Sequence, residues 1–107
     1  MDGIVVLMTA PKGEEAAKIA RALVENKLAG CVNMIGPIRS IYSWQEKIED
    51  DKEVLLIAKT AKRLFKRLVK KVKELHSYTV PEIVAIPIVE GDTDYLNWLK
   101  EATSRKK

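Results

Sequence analysis

The stretch Leu75-His76-Ser77-Tyr78-Thr79-Val80-Pro81-Glu82-Ile83 gathers an imidazole, a phenol and a carboxylate in one short segment. His76 is the only histidine, so imidazole chemistry has a single address in this chain. Helical spacing precedes the segment and strand-like residues follow it. Its polar groups therefore sit at an element boundary, where binding residues are commonly held by a rigid scaffold. Cys, Met and His are soft donors that suit copper(I), and Met8, Cys31 and His76 form the plausible soft set. A closed metal centre needs three or four converging ligands, and the sequence has no CxxC or HxxxH spacing. The competing readings are structural: Met8 as core filler, Cys31 as a small buried hydrophobe, and His76 as a cap at a helix C-terminus. Glu82 can accept a hydrogen bond from Tyr78 or receive Lys59. A cleft of Trp44, Lys59, Tyr78 and Glu82, with Cys31, suits a small anionic or zwitterionic ligand. An ion pair between subunits is the alternative use of the same charges. Trp44, Tyr95 and Trp98 read as interface anchors rather than a cofactor box.

The elements that must position these groups can be read from periodicity. Ile4 to Met8 is a β-branched run ended by Thr9-Ala10-Pro11-Lys12-Gly13, a first strand. Glu14 and Glu15 complement a helix start, and Ala16, Ile19, Ala20 and Leu23 keep helical spacing to about Asn26. Gly30 to Gln45 is extended, with a bulge or kink expected at Gly36-Pro37. Glu49-Asp50-Asp51-Lys52 is expected to turn the chain into a returning strand over Val54 to Thr60. A second helix buries Leu64, Leu68, Val72 and Leu75. Ile83 to Val89 forms a fourth strand, and Asp92 or Thr93 caps a last helix. The order β-α-β-β-α-β plus a helix predicts an α+β, ferredoxin-like domain over 1–107 with antiparallel strand order 4-1-3-2. Pro87 suits the edge that this order gives the fourth strand, since proline cannot donate to a ladder.

At 47% hydrophobic and 32% charged residues the chain is globular rather than disordered. No signal-like segment and no apolar run of membrane-spanning length is present, and the single cysteine excludes an intrachain disulfide. The cytoplasm is the expected location. The net charge of +4 is unevenly spread: Glu46 to Glu53 is acid-rich and Lys62 to Lys73 is basic. Lys62, Arg63, Lys66, Arg67, Lys70, Lys71 and Lys73 form the best nucleic-acid signal, but no aromatics interleave them on the outer face of the helix, which favours a solvated surface. High Lys and Glu content with one glutamine points to a thermophilic source.

The strands do not alternate as a half-exposed sheet should. Ile4, Val6 and Met8 oppose Val5 and Leu7. Val54, Leu56 and Ala58 oppose Leu55 and Ile57, and Ile83 and Ala85 oppose Val84, Ile86 and Ile88. A ferredoxin-like sheet has helices on one face only, and one short final helix cannot cover the other. Association through the sheets is therefore expected.

Several ordered segments resemble the CutA-type divalent-cation tolerance family. They are Thr9-Ala10-Pro11, Leu28-Ala29-Gly30-Cys31-Val32-Asn33, Ile41-Tyr42-Ser43-Trp44, Glu53-Val54-Leu55-Leu56, His76-Ser77-Tyr78 with Val80-Pro81-Glu82-Ile83, and Gly91-Asp92-Thr93-Asp94-Tyr95-Leu96-Asn97-Trp98. The resemblance implies a homotrimer with sheets packed about the threefold axis, clefts between subunits, and a role in tolerance of copper and other divalent cations. Some members of the family bind copper through positions matching Met8, Leu75 and His76, which leaves His76 and Met8 as metal candidates here. Where the family commonly has Trp-Trp-Glu-Gly-Lys, this chain has Ser43-Trp44-Gln45-Glu46-Lys47, a shift expected to turn the carboxylate to the opposite strand face. Ser77 stands where a proline usually follows the histidine. The expected partners are further copies of the chain and metal ions, with no membrane.

Two other functions share the fold. A PII-like small-ligand signalling trimer would use subunit clefts for nucleotides, but no Gly-rich phosphate loop is evident. An acylphosphatase-like hydrolase would need an arginine after the first strand, and Thr9-Ala10-Pro11-Lys12-Gly13 has none. No nucleophile is evident for His76 apart from adjacent Ser77, so the chain is expected not to be an enzyme.

Overall fold

The computed structural model describes residues 2–104. Strand β1 (Gly3–Ala10) leads to helix α1 (Gly13–Glu25), then the long strands β2 (Cys31–Trp44) and β3 (Lys47–Ala61). A single 3-10 turn (Lys62–Leu64) opens into α2 (Phe65–Leu75), followed by β4 (Ile83–Pro87) and α3 (Thr93–Ala102). The four strands form one antiparallel sheet in the order β2-β3-β1-β4, as the ferredoxin-like pattern requires.

Strand periodicity decides which side chains meet the helices. Ile4, Val6, Met8 and Ala10 of β1 and Leu56 and Ala58 of β3 point to one face and are buried there. Ala16, Ile19 and Leu23 of α1 and Leu68 and Val72 of α2 close over them, following the helical i, i+3, i+4, i+7 rule. Burying each such large side chain contributes about 1.5–3 kcal/mol. After α1 the chain reverses through Lys27, whose φ of 57° is left-handed, while the amides of Leu28 and Ala29 reach back to the Leu23 carbonyl.

The expected turn at Glu49-Lys52 is not a turn. Those residues lie inside β3, and the chain reverses at Gln45-Glu46 instead. Both turn residues have positive φ, 52° and 66°, the conformation of a two-residue type I′ hairpin whose twist matches its strands. Glu46 therefore sits in a turn, not on the opposite face of a strand. The acidic residues tolerate the extended form because β2 supplies partners. Arg39 donates twice to Asp50 at 2.9 and 2.7 Å, and the Tyr42 hydroxyl donates to Asp51 at 2.6 Å. The irregularity expected at Gly36-Pro37 is present as a register shift between Ile35 and Ile38. Strand β4 stops at Pro87 rather than Val89: the Ile88 amide still donates to the carbonyl of Gly3, the first residue of β1, at 2.9 Å, and the pairing ends there.

Helix α3 is capped by Asp92, whose carboxylate accepts from the Tyr95 amide at 3.1 Å. It docks where β2 begins: a Cβ placed on Gly30 would lie 2.6 Å from a Leu99 methyl, so only glycine admits the helix that closely. The far side of the sheet stays open. Val84 and Ile86 remain 49% exposed, beside the half-buried Val5, Leu7, Leu55 and Ile57.

Candidate functional site

The junction after α2 is built around His76. Helix α2 ends at Leu75, and His76 takes an extended conformation (ψ 139°) that directs its ring beneath the loop. Its Nε2 lies 2.7 Å from the Thr9 carbonyl, and its Nδ1 lies 3.0 Å from the Tyr78 amide. An amide N–H can only donate, so Nδ1 accepts and Nε2 carries the proton that Thr9 receives. Glu15 stands 3.4 Å from Nδ1 but is occupied elsewhere, accepting from the Ser77 amide at 2.8 Å and the Ser77 hydroxyl at 3.1 Å. The Tyr78 amide, closer than Glu15, is thus the hydrogen-bond partner of Nδ1.

Above this buried ring the open face of the sheet forms a cavity of about 590 Å³. The β2–β3 hairpin contributes Tyr42, Trp44 and Glu53, β1 contributes Thr9, and the junction supplies residues 77–82, including Tyr78 and Glu82. The register explains the hairpin's share. Tyr42 opposes Glu49, and Ile38 opposes Glu53, so Glu49, Asp51 and Glu53 alternate onto the face that carries Tyr42 and Trp44. Glu53 is only 5% exposed and accepts from the Tyr78 hydroxyl at 3.2 Å. Tyr78 in turn leans on the imidazole, ring centroids 4.9 Å apart.

Two of the expected cleft residues are elsewhere. Lys59 pairs across the sheet with Cys31, six positions along β3 from Glu53, about 20 Å away at strand rise. There Lys59 donates to Asn33, and Cys31 lies 3.6 Å from the same Asn33 oxygen. The structure therefore brings Trp44, Tyr78 and Glu82 together and leaves Lys59 and Cys31 out. With Lys59 gone, the cavity lining contains carboxylates and no lysine or arginine, the reverse of what an anionic ligand needs. Asp51 was hidden from sequence reading because it lay inside a segment that looked like a turn, and Tyr42 and Glu53 were missed because the face they share depends on the hairpin register.

The metal candidates do not form a centre within one chain. Met8 is fully buried on the helix-facing side of β1, and both nitrogens of His76 hold protein partners. Among the described residues no group of three or more His, Cys, Asp or Glu side chains converges on a point. No helix among the described residues is long and apolar enough to cross a membrane.

The phenols respond to this acidic setting. Burial and the charge of Glu53 push Tyr78 up, and the hydrogen bond to Asp51 pushes Tyr42 well up. Tyr95 is also raised, by burial and by Cys31. A raised folded value means the folded chain keeps a proton that the unfolded chain releases, so stability declines as pH climbs above about 10. An ultraviolet difference titration is expected to show all three tyrosines ionising later than free tyrosine. A phenol titrating normally in the folded protein, and lost in the Tyr42→Phe variant, would contradict the Tyr42–Asp51 pair.

Residues 4–102 match the CutA1 divalent ion tolerance protein family. The chain belongs to that family. A divalent-cation tolerance protein CutA of Thermus thermophilus is 54% identical over 99 residues, covering 92% of this chain and 96% of that one. The human Protein CutA is 45% identical over 96 residues, covering 90% of this chain but 54% of its own length. The chain thus spans nearly all of the bacterial relative and about half of the human one. Among solved structures, the divalent cation tolerance protein of Thermus thermophilus superposes with a TM-score of 0.93 at 52% identity, covering 95% of this chain and 99% of that one. The CutA1 of Oryza sativa gives 0.95 at 42% identity, covering 99% and 97%. These relatives lend no support to the PII-like signalling alternative.

Proposed function

We propose that the protein acts as a cytoplasmic homotrimer in divalent-cation tolerance, a binding protein rather than an enzyme. Its open sheet faces meet about a threefold axis, and its acidic clefts are where small cations reach the assembly. The observation that carries this reading is the uncovered apolar face, with Val84 and Ile86 half-exposed on the edge strand of a sheet whose other face is fully packed. Family membership supports the tolerance role, and the single free thiol, Cys31, agrees with a reducing compartment. The charge-rich composition and the Thermus relative fit a thermophilic source. A binding role is favoured because the one imidazole is buried with both nitrogens engaged, while the adjacent Ser77 hydroxyl donates to Glu15 instead.

Copper or another divalent ion would not find a complete donor set in one chain. Glu53 and Glu82 are the carboxylates that one cleft presents, and further donors would have to come from a neighbouring copy or from water. Sedimentation equilibrium at micromolar concentration is expected to give a particle of three chains of 12.1 kDa each. A monomer at that concentration would overturn the assembly on which the reading rests. Calorimetric titration with copper(I) and copper(II) then tests the metal arm, with Glu82→Gln expected to weaken any saturable heat.

A further inference from the structure

From the composition of the cleft we infer that its ligand is a small organic ammonium ion. This inference rests on the reading of the cleft as the place where a cation meets the assembly, and it names the class of that cation. Three aromatic rings, Tyr42, Trp44 and Tyr78, and two carboxylates, Glu53 and Glu82, line the cavity, and no lysine or arginine does. Asp51 adds a third negative charge immediately behind Tyr42, at 2.6 Å from its hydroxyl. The lining thus attracts positive charge at both short and longer range.

The question is which kind of cation, and size and donor chemistry decide it. A bare divalent ion is held by four or more close ligands, and no three His, Cys, Asp or Glu side chains of one chain converge among the described residues. It would depend on donors from a neighbouring copy or water, whereas an ammonium ion needs only a counter-charge and ring faces that one chain already supplies. A cavity of about 590 Å³ is far larger than an ion and its first ligands require, yet it lies within the range of small-metabolite sites. Aromatic faces add little to a hydrated metal ion but attract an alkylammonium group directly, as in aromatic cages for quaternary ammonium.

The carboxylates play different parts. Glu53 is buried and is oriented by the Tyr78 hydroxyl, which occupies one of the several acceptor positions a carboxylate has. It supplies a fixed counter-charge at the cavity wall. Glu82 is exposed, follows Pro81 on the loop, and lines the cavity where it meets solvent. Tyr78 itself is held by the buried imidazole through its own backbone amide, so this part of the cage is set before any ligand arrives.

Isothermal calorimetry of the intact protein with choline chloride tests this, at constant ionic strength and with chelator present. Saturable binding at one choline per chain is expected. It should weaken roughly tenfold in Trp44→Leu and in Glu82→Gln, both at exposed positions that leave the fold undisturbed. The uncharged carbon isostere dimethylbutanol should bind at least tenfold more weakly than choline. Absence of saturable choline heat, equal binding of the isostere, or affinity unchanged in both variants would each overturn the inference. Sedimentation of the same samples separates the two readings. A trimer without choline binding removes the ammonium site alone, whereas choline binding by a monomer removes the assembly reading and leaves the site.

Discussion

Replacing His76 by alanine is expected to destabilise the protein by roughly 3–5 kcal/mol, whether or not any metal is present. The size follows from what the ring does. It joins the end of β1 to the loop after α2, donating to the Thr9 carbonyl and accepting from the Tyr78 amide. Its side chain is almost wholly enclosed. Removing it strands two backbone groups, each costing about 1–3 kcal/mol when left unpaired away from water, and opens a void that the β1 end and α1 must line. Gln at this position can both donate and accept at a similar reach, so His76→Gln should recover about half of the loss. Chemical denaturation with and without chelator is the deciding measurement. A destabilisation that disappears once metal is stripped from the wild type would show the imidazole to be a ligand. A constant difference fits the two hydrogen bonds.

The consequence reaches the cleft. Tyr78 hydrogen-bonds Glu53 with its hydroxyl while its amide rests on His76, so the alanine variant should also loosen the aromatic cage. Choline affinity is therefore expected to fall in His76→Ala even though the imidazole does not line the cavity.

How much of this was legible in the sequence depends on which periodicity was intact. The strand order and the helical core followed from runs such as Ile4-Val6-Met8 and Leu64-Leu68-Val72, whose spacing has one plausible reading. The hairpin did not. Glu49-Asp50-Asp51-Lys52 has turn composition, while the true turn, Gln45-Glu46, lacks the Asn and Gly that usually mark a type I′ reversal. Only the tertiary partners, Arg39 for Asp50 and Tyr42 for Asp51, make the acidic strand tolerable, and a partner across a hairpin is invisible until the register is known. That single slip moved the cleft. It hid the face that Asp51 and Glu53 share with Tyr42, and with Lys59 read into the cleft instead, an anionic ligand looked suitable. His76 was legible as important because it is unique. Its role was not, since Thr9 is distant in sequence and contributes a backbone carbonyl, which no side-chain pattern reveals.

Placing a charge on the open face should dissolve the proposed trimer while sparing the fold, and Ile86→Lys is the substitution that separates the two. Ile86 lies on the edge strand β4 and pairs with Val5, and in a single chain it is half-exposed. A lysine there keeps its ammonium in water as long as the chain is alone, so the core formed by Val6, Met8, Leu56 and Leu68 is untouched. In a trimer packed sheet against sheet, the same ammonium would be carried into an apolar join. An unpaired charge there costs several kcal/mol, and the cost recurs in each subunit. The apolar contribution is lost as well, about 1.5–3 kcal/mol for each large side chain no longer buried. The expected outcome is a folded monomer by sedimentation, with a thermal midpoint that falls because mass action no longer supports the folded chain. Ile86→Val, which keeps the face apolar, should stay trimeric. A trimer that survives Ile86→Lys unchanged would mean that some other surface joins the subunits, and the two-sided apolar strands would need a different explanation.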